Sequence, residues 1–566
     1  MADKTNRRDF LKAAAMASFV APYLGATSAE ASPVKASGTS QRSVEQSYRP
    51  GEVERWGVYE AAFKSETKSS NPFTDVTLKA HFQCNGTRLT VNGFYDGEDT
   101  WRIRLMPTVE GPWRYVTESN NRDLDGKKGS FKCVAPGPDN HGPVRVAKQV
   151  QFSYADGTPF FPLGTTLYNW VHRGRAMQEE TLATLRANPF TKVRFMVFPK
   201  WYIYNRVEPP MFPYAKNADG TFDYMRFDPA YFQNIERCVR DLNALGIQAD
   251  LILFDPYNKP DWGFGKMSPE QDDAYLRYIV TRLAPYRNVW WTMANEFDFI
   301  HPAKNWDHIF QTVQALDPYN HLRGIHNGRV WYDHSKPWVT HVEIQDDYHT
   351  YNVALDAREK YNKPVIIEEY GYEGNNGANW GNKSGRQEMH NHWGLTMAGA
   401  YGSHGETYVH PGDILWWAVG GKLVGESPSR LGFLKKIMTE GPYQDLEPAP
   451  SIIQNGLALA KKGEYYLVYF PEQEIKQNAE LQLDGPGPFE VELIDPWLMQ
   501  IYKLGQAKAG HHSFRAKCTP GLLRLTRATQ TGAAVAHSLE EILWKPEGMW
   551  ESGLVQGPDF LYEQQS

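Results

Sequence analysis

Cysteine is scarce in this chain, with four residues among 566. Cys84, Cys133, Cys238 and Cys518 follow no zinc-binding spacing, which excludes a disulfide-stapled miniature fold and a zinc-ribbon framework. Cys238 lies mid-helix in Ile235-Glu236-Arg237-Cys238-Val239, where a thiol packs as a small apolar group. Cys84 and Cys133 fall on strands of one domain and could pair in an oxidising compartment. An excess of charge of one sign is also missing. With 60 basic against 66 acidic side chains the formal charge is -6, and no Lys/Arg run follows the N-terminus, so no nucleic-acid footprint is expected. No later segment reaches bilayer-spanning length, which argues against stable membrane insertion once the N-terminal segment is removed. Aromatic residues, by contrast, are abundant at 13%, including 18 Trp and 31 Tyr. Such rings suit the apolar faces of sugars as well as a core.

The N-terminus carries Asn6-Arg7-Arg8-Asp9-Phe10-Leu11-Lys12, a short apolar run to Leu24, and Ala29-Glu30-Ala31. Paired arginines, a short apolar region and a small-x-small cleavage site read as a twin-arginine export signal over residues 1–31. The mature chain is expected to begin near Ser32 and to be periplasmic or secreted. A cysteine at the cleavage site is lacking, which argues against a lipid anchor.

The length calls for two or three domains. Residues 50–146 alternate between apolar and polar, as in Leu78-Lys79-Ala80-His81-Phe82 and Trp101-Arg102-Ile103-Arg104-Leu105, and predict an N-terminal β-sandwich. The cluster from Pro136 to Pro143 reads as a linker. Residues 150–446 alternate strands with helices, which predicts a (β/α)8 barrel with strand ends near Gly164, Phe198, Asp255, Glu296, His326, Gln345, Glu369 and Trp417. Helices are expected over Pro229 to Leu245, stopped by Gly246, and over Pro269 to Leu283. The stretch Lys200 to Asp228 is too long and too aromatic for a tight βα connection and should shape a cleft. Alternation returns over 448–527, a C-terminal β-domain. The tail 528–566 has no assigned role, with a short helix expected from Leu539 to Trp544.

Two buried-strand patterns end in carboxylates. Glu296 follows Asn288-Val289-Trp290-Trp291-Thr292-Met293-Ala294-Asn295, and Glu369 follows Lys363-Pro364-Val365-Ile366-Ile367-Glu368. Counting βα steps assigns them to strands four and seven, whose C-terminal ends face one another across a barrel mouth. Two carboxylates so placed suit configuration-retaining glycosidic cleavage, with Glu296 protonating the leaving oxygen and Glu369 attacking the anomeric carbon. The bland alternatives are a salt bridge for Glu296 and a helix cap for Glu369.

Asn295-Glu296 and Glu369-Tyr370-Gly371 resemble the motifs of clan A retaining glycoside hydrolases. More closely, Phe160-Phe161-Pro162-Leu163-Gly164-Thr165-Thr166 and Ile366-Ile367-Glu368-Glu369-Tyr370-Gly371-Tyr372-Glu373-Gly374 are similar to bacterial apiosidase-like (β/α)8 glycoside hydrolases. These carry an N-terminal sandwich domain of unknown function and a C-terminal β-domain. The resemblance implies that the nucleophile is the residue before Tyr-Gly, Glu369. Alternation adds only that Glu368 and Glu369 point to opposite sides of the strand.

Arg194, a charge inside the apolar strand Lys192-Val193-Arg194-Phe195-Met196-Val197, must be paired to be tolerated. The resemblance suggests that it holds Glu369 ionised, that Asn295 meets the sugar 2-hydroxyl, and that Tyr348 or His349 lies near the nucleophile. One of Trp416 and Trp417, with Trp417 favoured, is expected to floor the sugar subsite and the other to be core. Asp255, His326, Asn169, Trp170 and Trp201 are further candidate sugar ligands. The reading is thus an exported, metal-independent glycoside hydrolase, needing no cofactor, that acts on a plant or algal poly- or oligosaccharide. Its rivals are a non-catalytic carbohydrate-binding protein, which would have lost a carboxylate, and a metal hydrolase. For the latter, His390-x-His392 is the close histidine pair of note; it lies far from the first strand and reads as helix or loop surface.

Overall fold

A computed structural model describes residues 51–202, 204–346, 350–410, 413–471, 478–515, 521–529 and 536–543. Residues 1–31, where an export signal is expected, Cys518, Tyr348, His349 and most of the tail lie outside the described residues. The N-terminal alternation becomes a seven-stranded sheet in the order Glu52–Glu54, Lys128–Val134, Gly111–Ser119, Leu78–Cys84, Thr87–Tyr95, Thr100–Leu105, Tyr59–Lys64. Thr87–Tyr95 pairs with one neighbour up to Asn92 and with the other from Gly93 onward. A Cβ at Gly93 would lie 2.5 Å from Leu78, so only glycine lets the sheet pass so closely there. The sheet folds over on itself, and Tyr59 from one edge stacks on Phe131 near the other at 4.1 Å. One continuous sheet thus stands where a sandwich was expected. Cys84 and Cys133 are buried and free within it. A whole strand, Gly111–Ser119, lies between theirs, and two interstrand spacings of about 4.8 Å exceed the reach of a disulfide, so they do not pair.

Eight parallel strands form the barrel: Gly164–Thr166, Lys192–Met196, Gln248–Phe254, Val289–Ala294, Arg323–Gly324, Val342–Gln345, Val365–Glu369 and Tyr401–His404. Their order is that of a barrel opened between strands five and six. At that seam Thr340 N–H donates to Arg323 O at 3.0 Å and Gln345 N–H to Asn327 Oδ1 at 3.2 Å. Strand eight corrects the expectation. It is Tyr401–His404, whereas Trp416 and Trp417 belong to a π-helical turn, Leu415–Val419. Ile414-Leu415-Trp416-Trp417 is the more apolar run, and a short apolar run alone cannot separate strand from buried helix.

The helices follow local signals. Asp228 caps Pro229–Ala244 by accepting from Ala230 N–H, and Gly246 ends the turn that follows at φ 71°. Ser268 and Gln271 form a capping box for Pro269–Leu283. Where the linker was expected to enter the barrel, a hairpin, Val144–Ala147 with Gln151–Tyr154, closes its lower end; Phe152 packs on Trp290, His341 and Tyr401. The long segment after strand two holds a second hairpin, Tyr214–Lys216 with Phe222–Phe227.

Strands between Glu447 and Arg527 form a six-stranded and a three-stranded sheet. They brace two barrel helices, Gly385–Met397 and Ser427–Glu440, where Tyr469 meets His390 at 3.1 Å and Arg524 meets Glu440 at 3.2 Å. His390 thus faces a sheet and His392 is buried, so this pair is not the surface feature expected. Among the described residues no helix is long and apolar enough to cross a membrane.

Candidate active site

Strand two puts Lys192 and Arg194 on the same inward face, two residues apart. Lys192 Nζ donates to Asp250 Oδ2 at 2.6 Å and to Glu368 Oε1 at 2.7 Å, with all three side chains fully buried. Thr292 Oγ1 joins Asp250 (2.8 Å) to Glu343 (2.9 Å), and His341 Nε2 meets Glu343 at 2.8 Å. Although Asp250, Glu343 and Glu368 bring oxygens within 4.8 Å of one another, Lys192 already supplies the cation between two of them. This charged layer fills the barrel beneath the mouth.

One layer above, Arg194 organises the mouth. Its Nη1 lies 3.1 Å from the Tyr168 hydroxyl and 3.5 Å from Glu369 Oε1, and its Nη2 donates to Asn295 Oδ1 at 2.7 Å. Tyr168 also donates to Glu369 Oε1. The neighbouring anions hold the fully buried guanidinium charged despite desolvation. His326 Nε2 stands 3.9 Å from the same Glu369 oxygen; burial, with Arg194 and Lys192 nearby, pushes its pKa well down, so the ring is neutral.

Strict alternation would send Glu368 and Glu369 to opposite faces, but here they share one. Ile344 pairs with Ile367 while Gln345 pairs with Glu369, which leaves Glu368 as the extra residue of a β-bulge. Both carboxylates therefore face inward, Glu368 onto Lys192 in the lower layer and Glu369 onto Arg194 at the mouth.

Glu296 follows strand four with φ 44° and ψ 55°, a left-handed conformation that costs a non-glycine residue energy and recurs at functional sites. Its carboxylate accepts from the Tyr257 hydroxyl. Glu296 and Glu369 are thus joined through neighbours, since Arg194 touches both Glu369 and Asn295.

Lys200 was not foreseen. Its ammonium lies 3.8 Å from the Tyr168 ring centroid, 4.2 Å from Trp417, 4.5 Å from Tyr257 and 4.9 Å from Tyr202. Burial lowers its pKa to about 8, opposed by the charges of Glu369, Glu296 and Asp255. Asn169 fixes the lysine by bonding its backbone N–H (2.8 Å) and carbonyl (2.9 Å). A lysine directly after an apolar strand, amid tyrosines and tryptophans, was the available signal. Tyr168 and Tyr257, the hydroxyl partners of the two carboxylates, were likewise missed; both lie just past barrel strands.

The remaining candidates divide. Trp417 joins this aromatic box, with Trp380 at 5.3 Å, whereas Trp416 is core and donates to Thr165 Oγ1 at 2.8 Å. Asp255 faces Lys200 only at longer range. Its carboxylate accepts from Tyr257 N–H at 2.8 Å and Asn258 at 3.2 Å, making a turn, and burial raises its pKa to about 7. Trp170 is fully buried with its edge on Phe195, because the 3-10 turn Trp170–His172 directs it away from the mouth; this corrects its placement as a sugar ligand. Trp201 is half-buried against Trp262 on the long segment.

Residues 52–120 match the domain of unknown function DUF5060, and residues 147–429 match the apiosidase-like catalytic domain. A candidate glycoside hydrolase from Bacteroides vulgatus ATCC 8482 is 38% identical, with a TM-score of 0.75 over 84% of this chain and 100% of its own. A family 5 glycoside hydrolase from the same organism shares the fold, with a TM-score of 0.56 at 16% identity over 72% of this chain and 99% of its own. No curated protein matches.

Proposed function

Because the chain belongs to the apiosidase-like glycoside hydrolases, we propose that it hydrolyses glycosidic bonds with retention, using Glu296 as acid/base and Glu369 as nucleophile. The observation that carries this reading is Arg194, which touches both Glu369 and Asn295, the residue beside Glu296. A cation against Glu369 favours the carboxylate that must attack. In the first step Glu296 gives its proton to the leaving glycosidic oxygen, the bond from that oxygen to the anomeric carbon breaks, and Glu369 bonds to the carbon. In the second, Glu296 takes a proton from water, the water oxygen bonds to the anomeric carbon, and Glu369 departs as a carboxylate. Arg194 occupies the Asn295 side-chain oxygen, so the Asn295 amide N–H groups would serve the sugar 2-hydroxyl. Trp417 and His326 would line the subsite, and a plant or algal poly- or oligosaccharide is the substrate class.

The test is a panel of aryl glycosides and pectic, galactan and mannan fragments, run on the native protein and two variants. Glu369→Gln should abolish turnover. Glu368→Gln should keep a measurable rate but lower the melting temperature, since it weakens the buried partner of Lys192. The reverse outcome exchanges their roles, and no turnover of any glycoside by the native protein defeats the enzymatic reading.

Residues 1–31 support twin-arginine export to the periplasm or beyond. Replacing Arg7-Arg8 with Lys-Lys should leave the uncleaved precursor in the cytoplasmic fraction; unchanged processing would refute that route.

A further inference from the structure

Past the ends of strands seven and eight, Glu373–Gly374 pairs in parallel with Glu406–Thr407. Glu373, Glu406 and the last residue of strand eight, His404, are all essentially without exposure. One ligand atom from each lies within 4.8 Å of the others. Backbone amides fix the carboxylates. Glu406 accepts from Val424 N–H and Gly425 N–H, both at 2.8 Å, and Glu373 from Glu426 N–H at 2.7 Å and Ser427 N–H at 3.0 Å. Ser427 Oγ (2.5 Å) and the Tyr408 hydroxyl (3.2 Å) also reach Glu373. A Cβ at Gly425 would stand 2.5 Å from Glu373 Oε2 and 2.6 Å from Glu406 Oε2, so the two carboxylates converge on one glycine.

These donors orient the carboxylates but bring no full positive charge. Among the described residues neither Glu373 nor Glu406 has an ion pair with Lys, Arg or His, and a third buried carboxyl, Glu388, adds to the crowding, held by the Tyr370 hydroxyl at 3.0 Å. His404 supplies a second, independent sign. Its Nδ1 is fixed by Thr165 Oγ1 at 3.1 Å, while its fully buried Nε2 has no hydrogen-bond partner. A ring anchored at one nitrogen and open at the other is the usual state of a metal-ligating histidine.

We propose that Glu373, His404 and Glu406 bind a divalent transition-metal ion. One imidazole with two carboxylates suits zinc, manganese or cobalt, whereas calcium and magnesium take oxygen ligands. The ion would join the segment after strand seven, which carries Tyr372 against Trp417, to the end of strand eight and the short strand that follows it. Its role is structural, and it takes no part in the acid/base and nucleophile steps.

The test uses tag-free mature protein purified without chelator. Elemental analysis should find one zinc or manganese ion per chain. Dipicolinate should remove it and lower the melting temperature, and ZnCl2 or MnCl2 should restore both. Glu406→Gln, which keeps an oxygen for the backbone amides, and His404→Ala should each lose the ion and the response to added metal; circular dichroism checks that they fold. The proposal is overturned if the native protein holds no stoichiometric ion and its melting temperature does not respond to Zn2+, Mn2+ or Co2+. It is equally overturned if both folded variants keep the ion.

Discussion

Arg194 is tolerated inside an apolar barrel because Tyr168 and Glu369 meet Nη1 of its guanidinium and Asn295 meets Nη2. Lys200 is tolerated in another way, with four aromatic faces around its ammonium and the carboxylates at longer range. Burial of Asp255 bears on pH dependence. Its folded pKa, about 7, stands above the ordinary value of 3.8, so its contribution to stability is complete below pH 3.8 and is lost as pH rises through 7. Asp255→Asn keeps an oxygen for Tyr257 N–H and removes this titration. The fall in melting temperature between pH 4 and 7 should then become shallower. An unchanged or steeper fall, followed by scanning calorimetry, would show that Asp255 is ionised throughout.

At the scale of elements, the N-terminal sheet and the barrel are joined by a buried charge network. Glu236, on helix Pro229–Ala244, accepts from Arg104 at 2.9 Å and from Arg282 at 3.0 Å, and Arg282 also pairs with Asp96 at 2.5 Å. Glu236→Ala would leave two buried guanidinium groups short of a carboxylate, a loss of about 3–5 kcal/mol. The denaturation midpoint should fall accordingly, whereas a change below about 1 kcal/mol would mean that solvent or Asp96 and Glu60 compensate. Elements whose signals are local were legible in the sequence. The helices opened by Asp228 and Ser268 start where capping chemistry starts them, and the strands ending in Ala294 and Glu369 announce themselves by continuous apolar runs. What depended on partners was not legible. The bulge at Glu368 exists only in the pairing of strands six and seven, and strand eight is short and polar enough that the neighbouring Trp416-Trp417 turn outweighed it. The aromatic box is equally a product of assembly, since Tyr168, Lys200, Tyr257 and Trp417 come from four separate connections.

At the scale of the whole molecule, β-sheets sit on opposite flanks of the barrel's helices, and a hairpin closes its lower end. The two carboxylates singled out from the sequence both stand at the open end, one above a fully buried ionic layer and one in a left-handed turn. Glu368 is fully buried on Lys192 whereas Glu369 keeps some exposure at the mouth, which supports Glu369 as the proposed nucleophile. The direct measurement is mass spectrometry of the protein after reaction with an activated 2-deoxy-2-fluoro glycoside of whichever sugar the panel identifies. The account predicts a single glycosyl adduct, mapped by peptide sequencing to Glu369, and a product released with its anomeric configuration retained. An adduct on Glu368 or Glu296, or an inverted product with no adduct, would contradict it.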